Sequence, residues 1–371
     1  MLVLFKTQYC EKTSNVRFQK NLILSKNGNA EIRILLVLRK PEEQLEGEII
    51  VRVLITGVTS FLGLYTAKLL LQEGHEVIGA VRPGSRRAQE LDAHGISAYP
   101  TYRTVHLDLS ELPEAELGEA HYAEVMGDTA PLIDAWIHFA WDGVGSTGRS
   151  DTNIQIENIQ NAKKAYLYAK LLGARKFLFA GSQAEYGSGN HRVPMPVSPY
   201  GKAKLAFGRW ATEQSLLAEI YDDTPMQFIH MRIYSVYGSG DHETSLVNTV
   251  LRAALRHEAI TLGPCEQRWN YLEVHDLARA IHILLRSEDT RTGIYDIAGS
   301  DSRMLKKYVI AMNAIAGDGA ELRFGTRANN AEGAANMSPE ILKLQRLGFH
   351  QEISFEAGIG MLLKTMREEL S

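Results

Sequence analysis

The stretch Val51-Arg-Val-Leu-Ile-Thr-Gly57-Val-Thr-Ser-Phe-Leu-Gly63-Leu-Tyr-Thr-Ala-Lys-Leu-Leu-Leu-Gln-Glu-Gly74-His-Glu-Val-Ile-Gly-Ala-Val81 decides the fold of this chain. Arg52 to Ile55 reads as a strand whose apolar run lacks alternation, the mark of burial on both faces. A turn with glycine near both ends, Thr56 to Gly63, then gives way to an amphipathic pattern over Leu64 to Glu73, which Gly74 closes at the C′ position. A second apolar strand runs from Glu76 to Val81. Strand, glycine turn, helix, strand is a βαβ unit, and its two strands must lie parallel.

The alternation continues downstream. Strands are expected at Thr104 to Leu107, Ala135 to Ala140, Lys176 to Ala180 and Met226 to Ile233, with helices at Thr152 to Leu172 and Tyr200 to Tyr221. Strands alternating with helices predict an α/β fold with a doubly wound parallel sheet over 51–233. Past Tyr237 the pattern is mixed: helices over Leu246 to His257, Val274 to Leu285 and Ser302 to Ala316, short strands at Ala259 to Leu262, Gly293 to Ala298 and Glu321 to Gly325. A last pair of helices closes the chain, the first bracketed by Ser338 as N-cap, Pro339 at N1 and Gly348 at C′. Residues 234–371 read as a smaller, mixed α/β substrate-binding region, parts of which return to the sheet domain. Residues 1–50, with scattered Lys, Asn and Glu and one apolar patch, read as an appendage outside the core fold.

A chain of 371 residues, 45% hydrophobic and 23% charged, can bury a sizeable core. Its net charge of −4, without long like-charge runs, predicts no nucleic-acid and no membrane partner. A small-molecule ligand is expected instead. Cys10 and Cys265 have no His or Cys at ligand spacing, so neither a disulfide framework nor a metal site is expected. The apolar patch Ile34 to Leu38 is far shorter than the roughly 20 residues that cross a bilayer, and no cleavage-site pattern follows it. These features predict a cytoplasmic protein.

Thr56-Gly-Val-Thr-Ser-Phe-Leu-Gly63 holds glycines at the first and last positions of a dinucleotide fingerprint and Ser60 at the middle one. The amides of such a turn, and of the helix N-terminus behind it, hold a pyrophosphate, which makes Gly57, Ser60, Phe61, Leu62 and Gly63 candidate contacts. NAD-selective sites commonly carry an acid at the end of the second strand, where it takes the ribose hydroxyls. Here Ala80-Val81-Arg82-Pro83-Gly84-Ser85-Arg86-Arg87 offers three arginines and no carboxylate. Arg82 is therefore the candidate for a 2′-phosphate, and NADP is slightly favoured over NAD. Asp108, with Leu109 after it, is placed to accept from the adenine amino group. The plainer readings are solvated loop arginines and an exposed turn aspartate.

Tyr200-Gly-Lys-Ala-Lys204 opens a helix, and the i, i+4 spacing sets phenol and ammonium on one face. A nearby ammonium favours the phenolate, as proton exchange with a hydroxyl requires. Alone, this spacing usually marks a surface helix. Upstream, Lys176-Phe-Leu-Phe-Ala-Gly-Ser-Gln-Ala-Glu-Tyr-Gly187 sets Ser182 just beyond a buried strand, in the crevice outside the carboxyl ends of the sheet where such folds bind ligands. Its hydroxyl is placed to hydrogen-bond a reacting oxygen. With the glycine turn, Ser182, Tyr200 and Lys204 in that order, the chain resembles the extended short-chain dehydrogenase/reductase family, the NAD-dependent epimerases and dehydratases of nucleotide sugars, over about residues 51 to 371.

The resemblance implies a Rossmann sheet, a nucleotide-sugar substrate and a homodimer formed through helices 152 to 172 and 200 to 221. It sets Phe139 and Ala140 of Ala135-Trp-Ile-His-Phe-Ala140 against the cofactor, and Asn158 where the family keeps an asparagine. Arg232-Ile-Tyr-Ser-Val-Tyr-Gly-Ser-Gly-Asp241 is similar to the stretch joining the two domains, with Ser235 in place of the usual asparagine. Arg268-Trp-Asn-Tyr-Leu-Glu-Val-His-Asp276 is similar to the segment whose arginine holds the substrate diphosphate, with Arg327 a second candidate. Family 4,6-dehydratases carry an Asp-Glu pair directly after the catalytic Ser or Thr; Gln183 and Ala184 stand there, so dehydration is disfavoured and Gln183 becomes a substrate contact. No cysteine beside Ser182 supports 3,5-epimerisation. Hydride transfer at sugar C4 remains, as a 4-keto-sugar reductase, which Ser182-Gln-Ala-Glu-Tyr-Gly187 resembles most, or as an NAD-dependent 4-epimerase. A non-catalytic dinucleotide sensor is the remote alternative, and it would be expected to have lost Tyr200 or Lys204.

Overall fold

The computed structural model of the chain describes residues 23–24, 30–31, 50–112, 133–145, 147–189, 193–326 and 338–370. The chain divides into two compact units, Met1–Ile49 and Ile50–Ser371. In the first, Ile23–Leu24 and Ala30–Glu31 pair antiparallel, where the sequence suggested no strand. The apolar patch from Ile34 to Leu38 lies outside the described residues.

The second unit is built on seven strands: β1 (Arg52–Thr56), β2 (Glu76–Val81), β3 (Tyr102–His106), β4 (Ala135–His138), β5 (Lys176–Ser182), β6 (Gln227–Ile233) and β7 (Gly293–Ile297). They lie in the order β7-β6-β5-β4-β1-β2-β3, and every pairing is parallel. The chain steps outward from β1 to β3 and then crosses back to β4 on the other side. That reversal opens a crevice at the carboxyl ends of β1 and β4.

Side chains alternate across the sheet, which fills two cores. Val53 and Ile55 of β1 pack with Leu64, Ala67 and Leu70 of the helix Phe61–Gln72, and with Leu277 and Ile281 of the helix Val274–Arg286. Leu54 points the other way, into Trp136, Phe177, Phe179 and Phe228, under Tyr166 of the helix Thr152–Leu171 and Phe207 of the helix Pro199–Tyr221. Each such fully buried side chain contributes about 1.5–3 kcal/mol, so the sheet is a firm base for loops at its carboxyl edge. A third cluster, around Tyr237, Leu251, Tyr271, Tyr308 and Phe355, makes the smaller lobe. There Arg268–Glu273 pairs parallel with Ser235–Tyr237 and antiparallel with Ser302–Met304, and Ala259–Thr261 pairs with Glu321–Arg323. None of the described helices is long and apolar enough to cross a membrane.

Several expected boundaries shift by one or two residues, and three differences have a tertiary or capping reason. The first helix begins at Phe61 rather than Leu64, because Ser60 caps it by accepting from the Gly63 amide. Ser302 to Met304 is a strand and not the start of a helix, since Arg268–Asn270 offers it a ladder; the helix is Leu305–Ile315. Ser338 and Pro339 do not open a helix, which runs only over Leu342–Arg346. The segment ahead of it is drawn to the sheet instead, where the Glu340 amide donates to the buried Asp296 carboxylate at 2.8 Å. Gly348, at φ +100°, does follow that helix as its C′ residue. At the amino edge of the sheet, the Val51 amide donates to His75 Nδ1, so the His75 Nε2 proton points at His282 Nε2, 3.0 Å away.

Candidate active site

A cleft of about 990 Å³ opens over the crevice, at the upper end of the size range for ligand sites. Its floor is the glycine turn. Gly57 has φ +73°, and a Cβ there would stand 2.7 Å from the Ala140 amide nitrogen; a Cβ on Gly63 would stand 2.3 Å from the Gly57 carbonyl oxygen. Both glycines are thus demanded by close backbone packing. Ser60 occupies the middle position because a cap is needed there, and Ser60, Phe61 and Leu62 bring the positive end of the helix into the cleft. Phe139 and Ala140, following β4, form the facing wall. This cradle fits a pyrophosphate-bridged dinucleotide: a glycine turn packed tightly on the backbone of the facing wall and a helix N-terminus opening into the cleft.

At the adenosine end the sequence showed arginines and no acid, but the fold brings one in. Arg82 donates to both oxygens of Asp142, at 3.1 and 3.3 Å, from a distant loop. The pair is exposed, so it contributes no more than about 1 kcal/mol. Asp108 lines the cleft with Leu109, and its carboxylate accepts from the amide and hydroxyl of Ser110. Burial works against its charge, but the Ser110 hydrogen bonds and the Arg82 charge hold it below the usual carboxylate range. Asn158 is largely buried, and both ends of its amide grip the Asp142 backbone, so it shapes the loop over the cofactor cradle.

Ser182 ends β5, Tyr200 lies in the first turn of the helix Pro199–Tyr221 capped by Ser198, and Lys204 is one turn further. All three line the cleft. The Ser182 Oγ accepts from the Ala184 amide, which leaves its own proton to donate to a ligand. The Ser182 amide in turn donates to Glu185, a fully buried carboxylate that also binds His230 and Arg232 at 2.9 Å each. Burial opposes the Glu185 charge, yet these partners hold it below the usual carboxylate range. Lys204 Nζ donates to the Ala180 carbonyl at 2.7 Å and lies 3.8 Å from the centre of the Trp141 ring. Burial pushes this ammonium well below its ordinary value, against the pull of Glu185.

On the substrate side, the Gln183 amide donates to Ser235 Oγ at 3.2 Å, while its Oε1 is buried with no partner. Both residues line the cleft. Arg268 does not. Along this segment the side chains alternate, and Gln267, Trp269 and Tyr271 are the ones that face the cleft. Arg268, one step out of phase, donates to the Ser302 carbonyl. Arg327 lies outside the described residues. The sequence reading missed Trp269, whose indole N–H is buried without an acceptor; the alternation from Gln267 to Tyr271 was the signal that pointed to it. It also missed Arg149, whose guanidinium stacks 4.5 Å from the centre of the Tyr200 ring.

A doubly wound parallel sheet with a dinucleotide cradle and a Ser, Tyr, Lys set at its carboxyl edge defines a class, the nicotinamide-dependent short-chain dehydrogenase/reductase type. The chain belongs to the NAD dependent epimerase/dehydratase family, whose family model matches residues 53–298. It is 23% identical over 286 residues to the CDP-abequose synthase of Yersinia pseudotuberculosis, spanning 75% of this chain and 89% of that protein. It is 24% identical over 290 residues to the UDP-glucose 4-epimerase of Corynebacterium glutamicum, spanning 72% and 80%. Among solved structures, the UDP-glucuronic acid 4-epimerase of Bacillus cereus, in complex with UDP-glucuronic acid and NAD, superposes with a TM-score of 0.69 at 17% identity, over 86% of this chain and 99% of that one.

Proposed function

We propose that this protein transfers hydride at C4 of a nucleotide-activated sugar, acting as a 4-keto-sugar reductase. The observation that carries this reading is the meeting of Ser182, Tyr200 and Lys204 in one cleft, with Gln183 and Ala184 where dehydration would need two acids. A nicotinamide bound in the cradle supplies or takes the hydride. The protein's own groups do the rest: Tyr200 passes its proton to the sugar oxygen, Ser182 donates a hydrogen bond to that same oxygen, and Lys204 holds the nicotinamide ribose and favours the phenolate. The similarity to CDP-abequose synthases supports the reductase. The UDP-glucose 4-epimerases among the relatives support a second reading, in which the same three residues run the step in both directions on a retained cofactor.

Arg82 at the adenosine end favours NADP, with Asp142 as the group that must release it. Exposed Leu216, Leu217, Ile220 and Tyr221 on one long helix, with Ile156 on the other, support homodimerisation through that face. The test is to give the purified chain a nucleotide-activated 4-keto sugar with NADPH or NADH, and separately UDP-glucose alone. Net consumption of reduced dinucleotide is the expected result. Inversion at C4 with no net consumption would establish the epimerase instead. Tight dinucleotide binding without either reaction would leave the sensor.

A further inference from the structure

Lys204 is the cation usually credited with helping a tyrosine of this kind, but here it is deeply enclosed. Its Nζ is committed to the Ala180 carbonyl and the Trp141 face, and stands 5.7 Å from the centre of the Tyr200 ring. Arg149, from the short turn Gly148–Ser150, is nearer: its guanidinium carbon lies 4.5 Å from that ring centre. The turn is braced from several sides. Arg149 Nε donates to the Val144 carbonyl, Gln155 donates to the Gly148 carbonyl, and a Cβ on Gly148 would stand 2.4 Å from Gly143 Cα. Trp141 is locked to the same Gln155, and Asn158 grips Asp142. A loop held this firmly presents its one arginine in a fixed place.

We propose that Arg149 is a second cation of this site, a positioning residue that acts through Tyr200 by favouring the phenolate over the phenol. A guanidinium over an aromatic face is attracted by the electron density of the ring, and that density grows when the phenol loses its proton. Arginine also keeps its charge at any working pH, whereas the Lys204 ammonium is disfavoured by burial and by Arg149 itself, against the pull of Glu185. Two other titratable groups described beside the Tyr200–Lys204 pair have their own partners or stay uncharged. Glu185 is ion-paired with Arg232 and hydrogen-bonded to His230, and His138, held to about 3 by burial and the Lys204 charge, stays neutral. Among the described residues, Arg149 thus sets a permanent positive charge against this ring.

This inference rests on Tyr200 being the proton-transfer residue, but its test needs no substrate. The ionisation of Tyr200 is read as the difference in ultraviolet absorbance between the protein and its Tyr200→Phe variant as pH is raised, with and without added NAD⁺. The same difference is then taken in an Arg149→Gln background. The expected result is a midpoint displaced upward by roughly 0.5–1.5 pH units in Arg149→Gln, with Arg149→Lys lying between. An unmoved midpoint, whatever happens to stability or turnover, overturns the proposal and leaves Arg149 a brace of its loop. If Arg149→Gln does not fold, Arg149→Lys decides alone, and no displacement there is equally fatal. A displaced midpoint in a protein inert on nucleotide sugars would uphold Arg149 and sink the proposed reaction instead.

Discussion

Tyr200 and Lys204 share a helical turn and both line the cleft, but the Lys204 ammonium is the more deeply held, against the Ala180 carbonyl and the Trp141 face. Tyr200→Phe should cut turnover by at least about a hundredfold and leave dinucleotide affinity nearly intact, since only the transferable proton is lost. Lys204→Ala should lose both, because it also empties a space against Trp141 and Phe179. Dinucleotide titration beside steady-state kinetics separates the two, and a Tyr200→Phe protein with near-normal turnover ends the mechanism. Arg82 offers a second contrast. A charge-assisted contact to a 2′-phosphate is worth about 1.5–3 kcal/mol, so Arg82→Ala should lower the preference for NADP over NAD by roughly ten- to a hundredfold. An unchanged ratio would mean that Arg82 serves only its pair with Asp142. That pair was illegible in the sequence, where 60 residues separate the partners, as was the stacking of Arg149 on Tyr200, which joins a loop without periodicity to a helix it never neighbours in the chain.

Elements were legible where a pattern is local. The βαβ unit, the Ser strand and the Tyr helix are announced by caps, glycines and apolar runs that act over a few residues. The segment around Arg268 shows where this stops: a strand was not expected there, and on a strand a single step of phase sends a side chain to the opposite face. Trp269→Ala should therefore raise KM for the nucleotide sugar by about tenfold with little change in kcat, through loss of an orphaned donor and an aromatic wall. Arg268→Ala should change KM less than about twofold, its guanidinium being turned to the Ser302 carbonyl. Kinetics on the two variants decide the matter, and the reverse order would restore Arg268 as the diphosphate ligand. The strand Ser302–Met304 was hidden for a related reason. Its partner is called up from more than thirty residues away, and no local propensity reports that.

For the molecule as a whole, acid is the condition that exposes hidden strain. Burial holds His138 to about 3 and His282 to about 4, both from 6.5, with Arg286 adding to the effect on His282. Above pH 6.5 both are neutral in either state and cost nothing. Below it the unfolded chain takes up protons that the folded chain refuses, so stability falls as pH drops from 6.5 toward 4. At His282 a proton would also set N–H against the N–H of His75. His282→Gln keeps an acceptor for His75 without the titration, so it should recover about 1–2 kcal/mol of the stability lost between about pH 6.5 and pH 5. Melting curves at several pH values check this, and parallel losses in both proteins would show that His282 stays out of the acid response.

The central sheet receives its last strand late. β6 ends at Ile233, and its outer neighbour β7 begins only at Gly293, after part of the smaller lobe has been threaded in between. During synthesis on the ribosome, the edge formed by Phe228, Ile229 and Met231 therefore emerges long before its cover exists. An open apolar strand edge invites pairing with another chain. Premature termination anywhere from Ile233 to Gly293 would yield a nascent polypeptide with an adhesive flank, a natural client for chaperones and a poor candidate for expression in halves.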